Sequence, residues 1–374
     1  MSKAEVLLNL VGSEIKALVL RHPLQAASPD GRVRPPLYHV GEEQRGEKGT
    51  PLIEERYLGN EWRQTVVLDS PQSQANRLEE VLVQLHRDGK IRLPMVRVRF
   101  TDDVEVDQYT APHRIYDAIF RDSLTPDGKS FFQVPPGELL AKGDVKALFR
   151  WAPNVLIFGG WHSHGKTSPE RAPKFSRLVL LEILGIEPRI VHRTSSRRDP
   201  LAIPGSQEIP AALRKKLAEE FNKKERDLNQ LSRIGYGTLP PTKQPVEVAV
   251  EGAVLVGSIS LIALRKLQLP DLAKAVLLAL ILVAVAAQDR NGYLLRSGTT
   301  LVSNAPLTWE PRGKLDSLCG PSQSDTLANP DFLIKAINEL EEDMDAELAW
   351  PLEPLELKPT EYLAKIFEQS RPYV

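Results

Sequence analysis

Cysteine is almost missing from this chain: Cys319 stands alone among 374 residues. A disulfide within the chain is therefore excluded, as is a zinc site built on cysteine pairs, and a reducing compartment fits. A secretory leader core is missing too, because Glu5, Glu14 and Lys16 interrupt the apolar N-terminus. No apolar run is long enough for a bilayer. The longest, Ala275–Ala287, has thirteen residues bracketed by Asp271, Lys274, Gln288 and Asp289, and predicts a buried helix. The expectation is a cytoplasmic protein, neither inserted in a membrane nor secreted. Internal repeats and low-complexity tracts are absent as well.

A strong overall charge is also lacking, since the net is −1, but the average hides an asymmetry. Residues 331–374 hold eleven Asp/Glu and four Lys/Arg, a net of −7, so the remainder carries +6. Gly160–Arg198 alone has eight Lys/Arg against three Asp/Glu, together with His162, His164 and His192. Such a concentration is either a solvated face or the electrostatic footprint of a phosphate-backbone site.

Gly160–Thr167 fits the phosphate-cradling pattern G-x-x-x-x-G-K-[ST], after the strand-like run Val155-Leu-Ile-Phe158. The helix that must follow contains Pro169 and Pro173, and a proline inside a helix costs roughly 3 kcal/mol. The apolar run that ends in Asp, Val66–Asp69, lies upstream rather than downstream. A nucleotide-binding enzyme thus stays as the alternative reading. What remains is a glycine loop with Trp161, His162, His164 and Lys166 leading to Arg171, Lys174 and Arg177. These residues suit a polyanion and a stacked base.

The order of elements predicts an α+β or α/β protein. A strand at Thr65–Leu68 runs into a helix capped by Ser70 with Pro71 at its first position, and Ala75, Leu78, Leu82 and Leu85 form the apolar stripe. Gln72, Ser73, Gln74, Asn76 and Arg77 crowd the start of that helix, where orphan N–H groups favour an anion. Plain capping explains Ser70 and Pro71 but not the other five. Residues 22–64 read as an irregular excursion and Met95–Phe100 as a half-buried strand with a basic face. His113–Phe120, Asp144–Trp151, Lys174–Leu184 and Pro210–Arg233 read as helices, Arg189–Asp199 as a basic loop, and Asp331–Glu347 as an acidic amphipathic helix. His162-Ser-His164 lacks a carboxylate cluster to complete a metal site, so stacking or hydrogen-bonding loop histidines are expected. Ser163 has no nucleophile elbow around it, and Asp69 and Asp117 have the chemistry of general bases, but any strand end supplies such an Asp. No catalytic set, metal site or cofactor is expected.

Several stretches in fixed order carry a resemblance. They are Leu68-Asp-Ser-Pro-Gln-Ser-Gln-Ala-Asn-Arg-Leu-Glu79, His113-Arg-Ile-Tyr-Asp-Ala118, Phe158-Gly-Gly-Trp-His-Ser-His164, Lys174-Phe-Ser-Arg177, Asp199-Pro-Leu201, Leu231–Pro241 and Gly292-Tyr-Leu-Leu-Arg-Ser297. Over residues 65–302 the chain resembles the backbone subunit of type I-G (formerly I-U) CRISPR surveillance complexes, a branch of the Cas-seven RAMP family. It departs from that family where Arg32–Leu37 replaces a segment reading like Gln-Pro-Thr-Gly, and in the tail after Asp331.

The resemblance implies an α+β fold: a ferredoxin-like, RRM-like RAMP palm over residues 1–330 with inserted finger and thumb elements, the stretches near 22–64 and 186–245 being irregular or inserted. A helical extension over 331–374 follows. It implies a non-catalytic protein that stacks head to tail with further copies of itself along CRISPR RNA and presents the guide for pairing with target DNA. The other implied partners are the fused guide-end-capping and processing subunit, the large subunit and a recruited helicase-nuclease. Sequence discrimination then rests on base pairing, so the protein needs shape and charge. The residues expected on RNA are Ser70, Gln72, Ser73, Gln74, Asn76 and Arg77 at the helix start. Trp161, His162, Ser163, His164, Lys166, Lys174 and Arg177 follow in the loop, with Arg296 beyond, the two main segments lining one groove.

Overall fold

Alternating burial along β1 (Ile15–Ala26) sets the centre of the fold, with Leu18, Leu20 and Leu24 turned to one side and Arg21, Pro23 and Gln25 to solvent. The computed structural model describes residues 2–38, 49–163, 172–197, 199–203, 206, 208–220, 228–234, 236–237, 239–313 and 326–370, with backbone alone for 192–197, 233–234 and 239–246. Before β1 lies α1 (Lys3–Gly12), closed by a Ser2–Glu5 capping box. After it come the hairpin β2 (Ile53–Leu58) and β3 (Glu61–Asp69), then α2 (Pro71–Arg87) and β4 (Val96–Arg99). Next are α3 (Val145–Trp151), α4 (Pro153–Phe158) and the short pair β5 (Gly160–Trp161) and β6 (Lys174–Phe175). The chain continues through β7 (Val179–Ile186), β8 (Arg189–Arg197), α5 (Ala211–Glu220), β9 (Leu239–Ala249) and β10 (Gly252–Ser260). It ends with α6 (Asp271–Asn291), β11 (Tyr293–Arg296), β12 (Thr299–Ser303), β13 (Trp309–Gly313), α7 (Pro330–Glu342), β14 (Leu355–Pro359) and α8 (Glu361–Ser370).

The main sheet has the order β11-β12-β1-β10-β7-β3-β2, with β13 also on β1, and its pairings are antiparallel. Within it, β1–α2–β7 and β10–α6–β12 are two β-α-β halves, and the four strands stand in the order fourth, first, third, second. That is the ferredoxin-like palm, so the expected α+β fold is the observed one. Helices α1, α2, α6 and α7 pack together in the core against one face. On the other face Leu58 and Tyr38 pack on Val67, Leu184 and Val254.

The apolar run predicted as a buried helix is the heart of the core. Residues from Ala275 through Gln288 are buried along α6, enclosed by the sheet and by α1, α2 and α7. By length and composition α6 could cross a membrane, but 83% of its apolar window is buried inside the fold. Each leucine so enclosed contributes about 1.5–3 kcal/mol. The acidic helix is α7, shorter than expected, and its Leu333, Ala336, Ile337 and Leu340 face inward. Further on, β14 lies parallel to β4 (Leu355↔Val96, Leu357↔Val98), and Trp350 Nε1 donates to Phe149 O at 2.9 Å. The apolar side of α7 is thus packed into the rest of the chain, with Glu341 paired to Arg92 at 3.0 Å, whereas α8 buries no residue and leaves Tyr362 and Ile366 exposed.

Several local expectations are corrected. Val155–Phe158 is not a strand but the end of α4, begun by Pro153 at the first turn, and it is buried on all sides. A short run buried all round has no period to tell helix from strand. Lys174–Leu184 is not a helix. Its leucine-rich part is β7, flanked by β10 and β3, and Gly185 is a close-packing position where a Cβ would lie 2.7 Å from Val250. Pairing on both edges overrides the helical propensity. The excursion at 22–64 contains the end of β1 and the β2–β3 hairpin, turned by Gly59 and Asn60 at φ +60° and +80°. Arg189–Arg197 has strand backbone, and the helix expected at His113–Phe120 is two short pieces, a 3-10 helix over Arg114–Tyr116 and an α-helix over Ala118–Arg121. Of the charged helix expected at 210–233, α5 spans 211–220 and a 3-10 turn starts at Leu231, with 221–227 outside the described residues. The strand-loop-helix context of a nucleotide site therefore lacks its strand, and residues 164–167 of that motif lie outside the described residues.

Candidate nucleic-acid interface

Ser70 caps α2 as its position implies: its backbone is extended and its Oγ accepts from Ser73 N at 3.3 Å. The other polar residues of the first two turns divide. Gln72 and Asn76 are exposed one turn apart, and Ser73 is half-buried. Gln74 is fully buried, and its amide donates to Asp69 Oδ2 at 2.7 Å. Arg77 Nε donates to the same oxygen at 3.1 Å, while Nη1 and Nη2 donate to the carbonyls of Leu294 (3.0 Å) and Leu295 in β11. From β11, Arg296 reaches Asp69 Oδ1 at 3.4 Å and donates to Arg34 O at 2.9 Å.

Asp69 itself is sealed from solvent. These bonds tie β3 to β11, which stand near opposite ends of the strand order and are brought together by the curl of the sheet. Burial pulls the Arg296 guanidinium below its usual pKa, while the Asp69 charge opposes that. Gln74, Arg77 and Arg296 thus have structural partners already, which a list of polar residues at a helix start does not reveal.

The second segment is built around two glycines. Gly159 has φ +83°, and a Cβ on it would stand 3.0 Å from Phe175 O and 3.1 Å from Arg177 Cγ. A Cβ on Gly160 would lie 2.9 Å from Val155 Cγ1. This close approach lets β5 pair with β6, Gly160 opposite Phe175 and Trp161 opposite Lys174. Trp161 is 58% exposed, and Lys174 Nζ stands 5.6 Å from its ring centroid. Ser163 is exposed beside it. His162 points the other way. It is buried, stacked on Tyr116 (centroids 5.1 Å apart, planes 10° apart) and tilted against Phe132. His164 and Lys166, with Arg171, lie outside the described residues.

Behind this turn is a cluster that sequence reasoning missed. Arg114 makes a bidentate salt bridge to Glu79 (Nε–Oε1 2.8 Å, Nη2–Oε2 2.7 Å) and donates from Nη1 to Gly159 O at 3.2 Å. Asn154 Nδ2 donates to Glu79 Oε1 at 2.9 Å. Burial pushes the Glu79 carboxyl up, opposed by Arg114 and Asn154. One signal was available: Glu79 falls on the apolar stripe of α2 beside Ala75, Leu78 and Leu82, and an acid there must be paired. Arg177 sits next to this pair, half-buried, and among the described residues it makes no hydrogen bond or ion pair. Burial and the like charge of Arg114 lower its pKa from the usual arginine value, with Glu79 opposing.

The two segments do not line one groove through their arginines. Arg77 turns to Asp69 and β11, whereas Glu79 turns to Arg114 and the glycine turn, and two residues along a helix are about 200° apart. Helix α2 stands between the two clusters.

Residues 18–189, just under half of the chain, match the family described as CRISPR-associated protein GSU0053 (Cas_GSU0053). That span covers most of β1, the β2–β3 hairpin, α2, the glycine turn and β7. No curated protein matches the chain. The match supports a CRISPR-associated protein.

Proposed function

We propose that this CRISPR-associated protein binds guide RNA without catalysing a reaction, as a backbone subunit of a type I-G Cascade surveillance complex in the cytoplasm. The observation that carries the reading is the surface formed by Trp161, Lys174 and Arg177. An exposed indole is held by a glycine turn, one cation lies over it, and a second cation lacks a partner among the described residues. Rings of this kind stack on unpaired bases of any sequence, and the cations neutralise phosphates. The ferredoxin-like palm and the ordered motifs of the resemblance support the same assignment. Further copies in a head-to-tail filament, the capping and large subunits, target DNA and the helicase-nuclease belong to this proposal as partners. Gln72, Ser73 and Asn76 remain candidates for a contact on the outer side of α2.

The test is binding of single-stranded RNA of varied sequence by the purified chain, alone and co-expressed with a CRISPR array. Affinity should be nearly sequence-independent and fall steeply with salt, each neutralised phosphate adding about 0.7 to the logarithmic slope. Binding that is absent in both settings, or indifferent to salt, rejects the proposal. Equilibrium binding of ATP with magnesium tests the nucleotide alternative, and Lys166→Ala should leave RNA as the ligand that responds.

A further inference from the structure

The Glu79–Arg114 pair lies behind the proposed RNA surface and does not face it. Arg114 is held at φ +56°, a left-handed backbone that a residue other than glycine adopts at a cost of about 1–2 kcal/mol. Such strain persists where the surroundings over-determine it, and here they do. The guanidinium is gripped by both Glu79 oxygens, bonded to Gly159 O, and set 5.6 Å from the Phe158 ring centroid. Asn154 holds the carboxylate from the other side while donating to Gln108 O at 2.8 Å. One acid on α2 therefore organises Arg114, α4 and the glycine turn together.

The arrangement has an electrostatic consequence for Arg177. Its stem packs against Gly159, and Arg114 and Glu79 are the charged groups that act on its guanidinium. Glu79 is the natural counterion for either arginine. Because both of its oxygens are engaged by Arg114, Arg177 is left half-buried next to a neutralised pair, and an unpaired cation in such a place favours an anionic oxygen. We infer that Glu79 and Arg114 are positioning residues: Arg114 occupies the carboxylate so that Arg177 stays available for a backbone phosphate, and it fixes the glycine turn that presents Trp161. This rests on the RNA-binding reading above for the identity of the phosphate, but the availability of Arg177 does not.

The consequence is a rescue that simple destabilisation does not produce. Arg114→Met removes the competing guanidinium, so Glu79 should capture Arg177. RNA binding should then lose about 0.7 from its salt slope, as for one phosphate contact, although residue 114 touches no RNA. Adding Glu79→Gln to that variant removes the carboxylate and should restore the slope. Glu79→Gln alone leaves two guanidinium groups on the site and should steepen it. Availability is read independently of RNA by the rate at which phenylglyoxal modifies Arg177, followed by peptide mass spectrometry. The rate should drop several-fold in Arg114→Met and recover in the double variant, with thermal melting run on each protein. If Arg114→Met does not fold, the steeper slope and faster modification of Glu79→Gln carry the test. Unchanged Arg177 reactivity in Arg114→Met, or a double variant no better than the single, overturns the inference. Wild-type protein that shows the reactivity pattern but binds no RNA keeps the positioning and rejects the RNA reading.

Discussion

Two arginine clusters flank α2, and they are used in opposite ways. On one side Arg77 and Arg296 share the buried carboxylate of Asp69 and spend further donors on the carbonyls of Leu294, Leu295 and Arg34. On the other side Arg114 is consumed by Glu79, and Arg177 beside it has no bonding partner among the described residues. In sequence the two sets look alike, as basic residues next to strand ends, glycines and hydroxyls. What separates them is a count of donors against acceptors. The first cluster is a clamp that holds a curled sheet closed, and the second is a clamp that leaves one cation over.

The largest effect expected from this contrast is on stability. Arg77→Ala strips a buried carboxylate of its closest charged partner and should lower the unfolding free energy by about 3 kcal/mol, measured by denaturant titration. RNA affinity of the folded fraction should be unchanged. A stable Arg77→Ala protein with a flattened salt slope breaks the comparison.

A consumed cluster elsewhere should behave like the Asp69 one. Asp289 Oδ1 accepts from His22 Nε2 (2.8 Å), Ser303 Oγ (2.8 Å) and Tyr293 OH (3.0 Å). Burial raises the carboxyl, but these bonds outweigh it and hold the pKa below the usual 3.8. A depressed carboxylate contributes stability above its unfolded pKa, and that contribution is lost as pH falls through the folded value. Asp289→Asn should therefore cost about 1–3 kcal/mol near neutral pH and flatten the acid limb of the stability curve, without touching RNA binding.

On the other cluster, effects should appear in binding rather than in melting. Trp161→Ala should weaken RNA binding by about 1–3 kcal/mol with an unchanged salt slope, while thermal melting stays close to that of the wild type. Arg177→Ala should remove about 0.7 from the slope. A Trp161→Ala protein that melts early and binds normally would mean that packing was mistaken for recognition. The smallest effect sharpens the boundary of the interface. Joint Gln72→Ala and Asn76→Ala substitution should stay within about 0.5 kcal/mol in stability, both being exposed. If it weakens RNA binding more than Trp161→Ala does, the outer stripe of α2 belongs to the surface and the division drawn at this helix is wrong.

Much of the fold was legible because its signals are local. Ser70 and Pro71 mark a helix start by backbone chemistry that needs no neighbour, Asp144 caps α3 in the same way, and the Val96/Val98 alternation reports one buried face. The thirteen apolar residues of α6 could only be placed inside. The misreadings share a different cause. Val155–Phe158 is a short apolar run buried on both sides, so periodicity is erased; along Val179–Leu184 the exposed Leu180 is as apolar as its buried neighbours and hides the alternation, and the partner strands lie seventy or more residues away on either the early or the late side.

By itself, then, the sequence determined a mixed class of α+β or α/β, the central helix, the capped start of α2 and the ordered motifs whose resemblance to the Cas-seven RAMP family implies α+β. The pairing that sets Lys174 over Trp161 came from the tertiary structure instead. Only the tertiary structure decided which arginines are spent. Asp69 meets Arg296 and Glu79 meets Arg114 across separations that no local pattern encodes. A charged side chain is free or engaged according to where the folded chain places its counterion, and that depends on the curl of the sheet and the path of α2 rather than on the residues beside it.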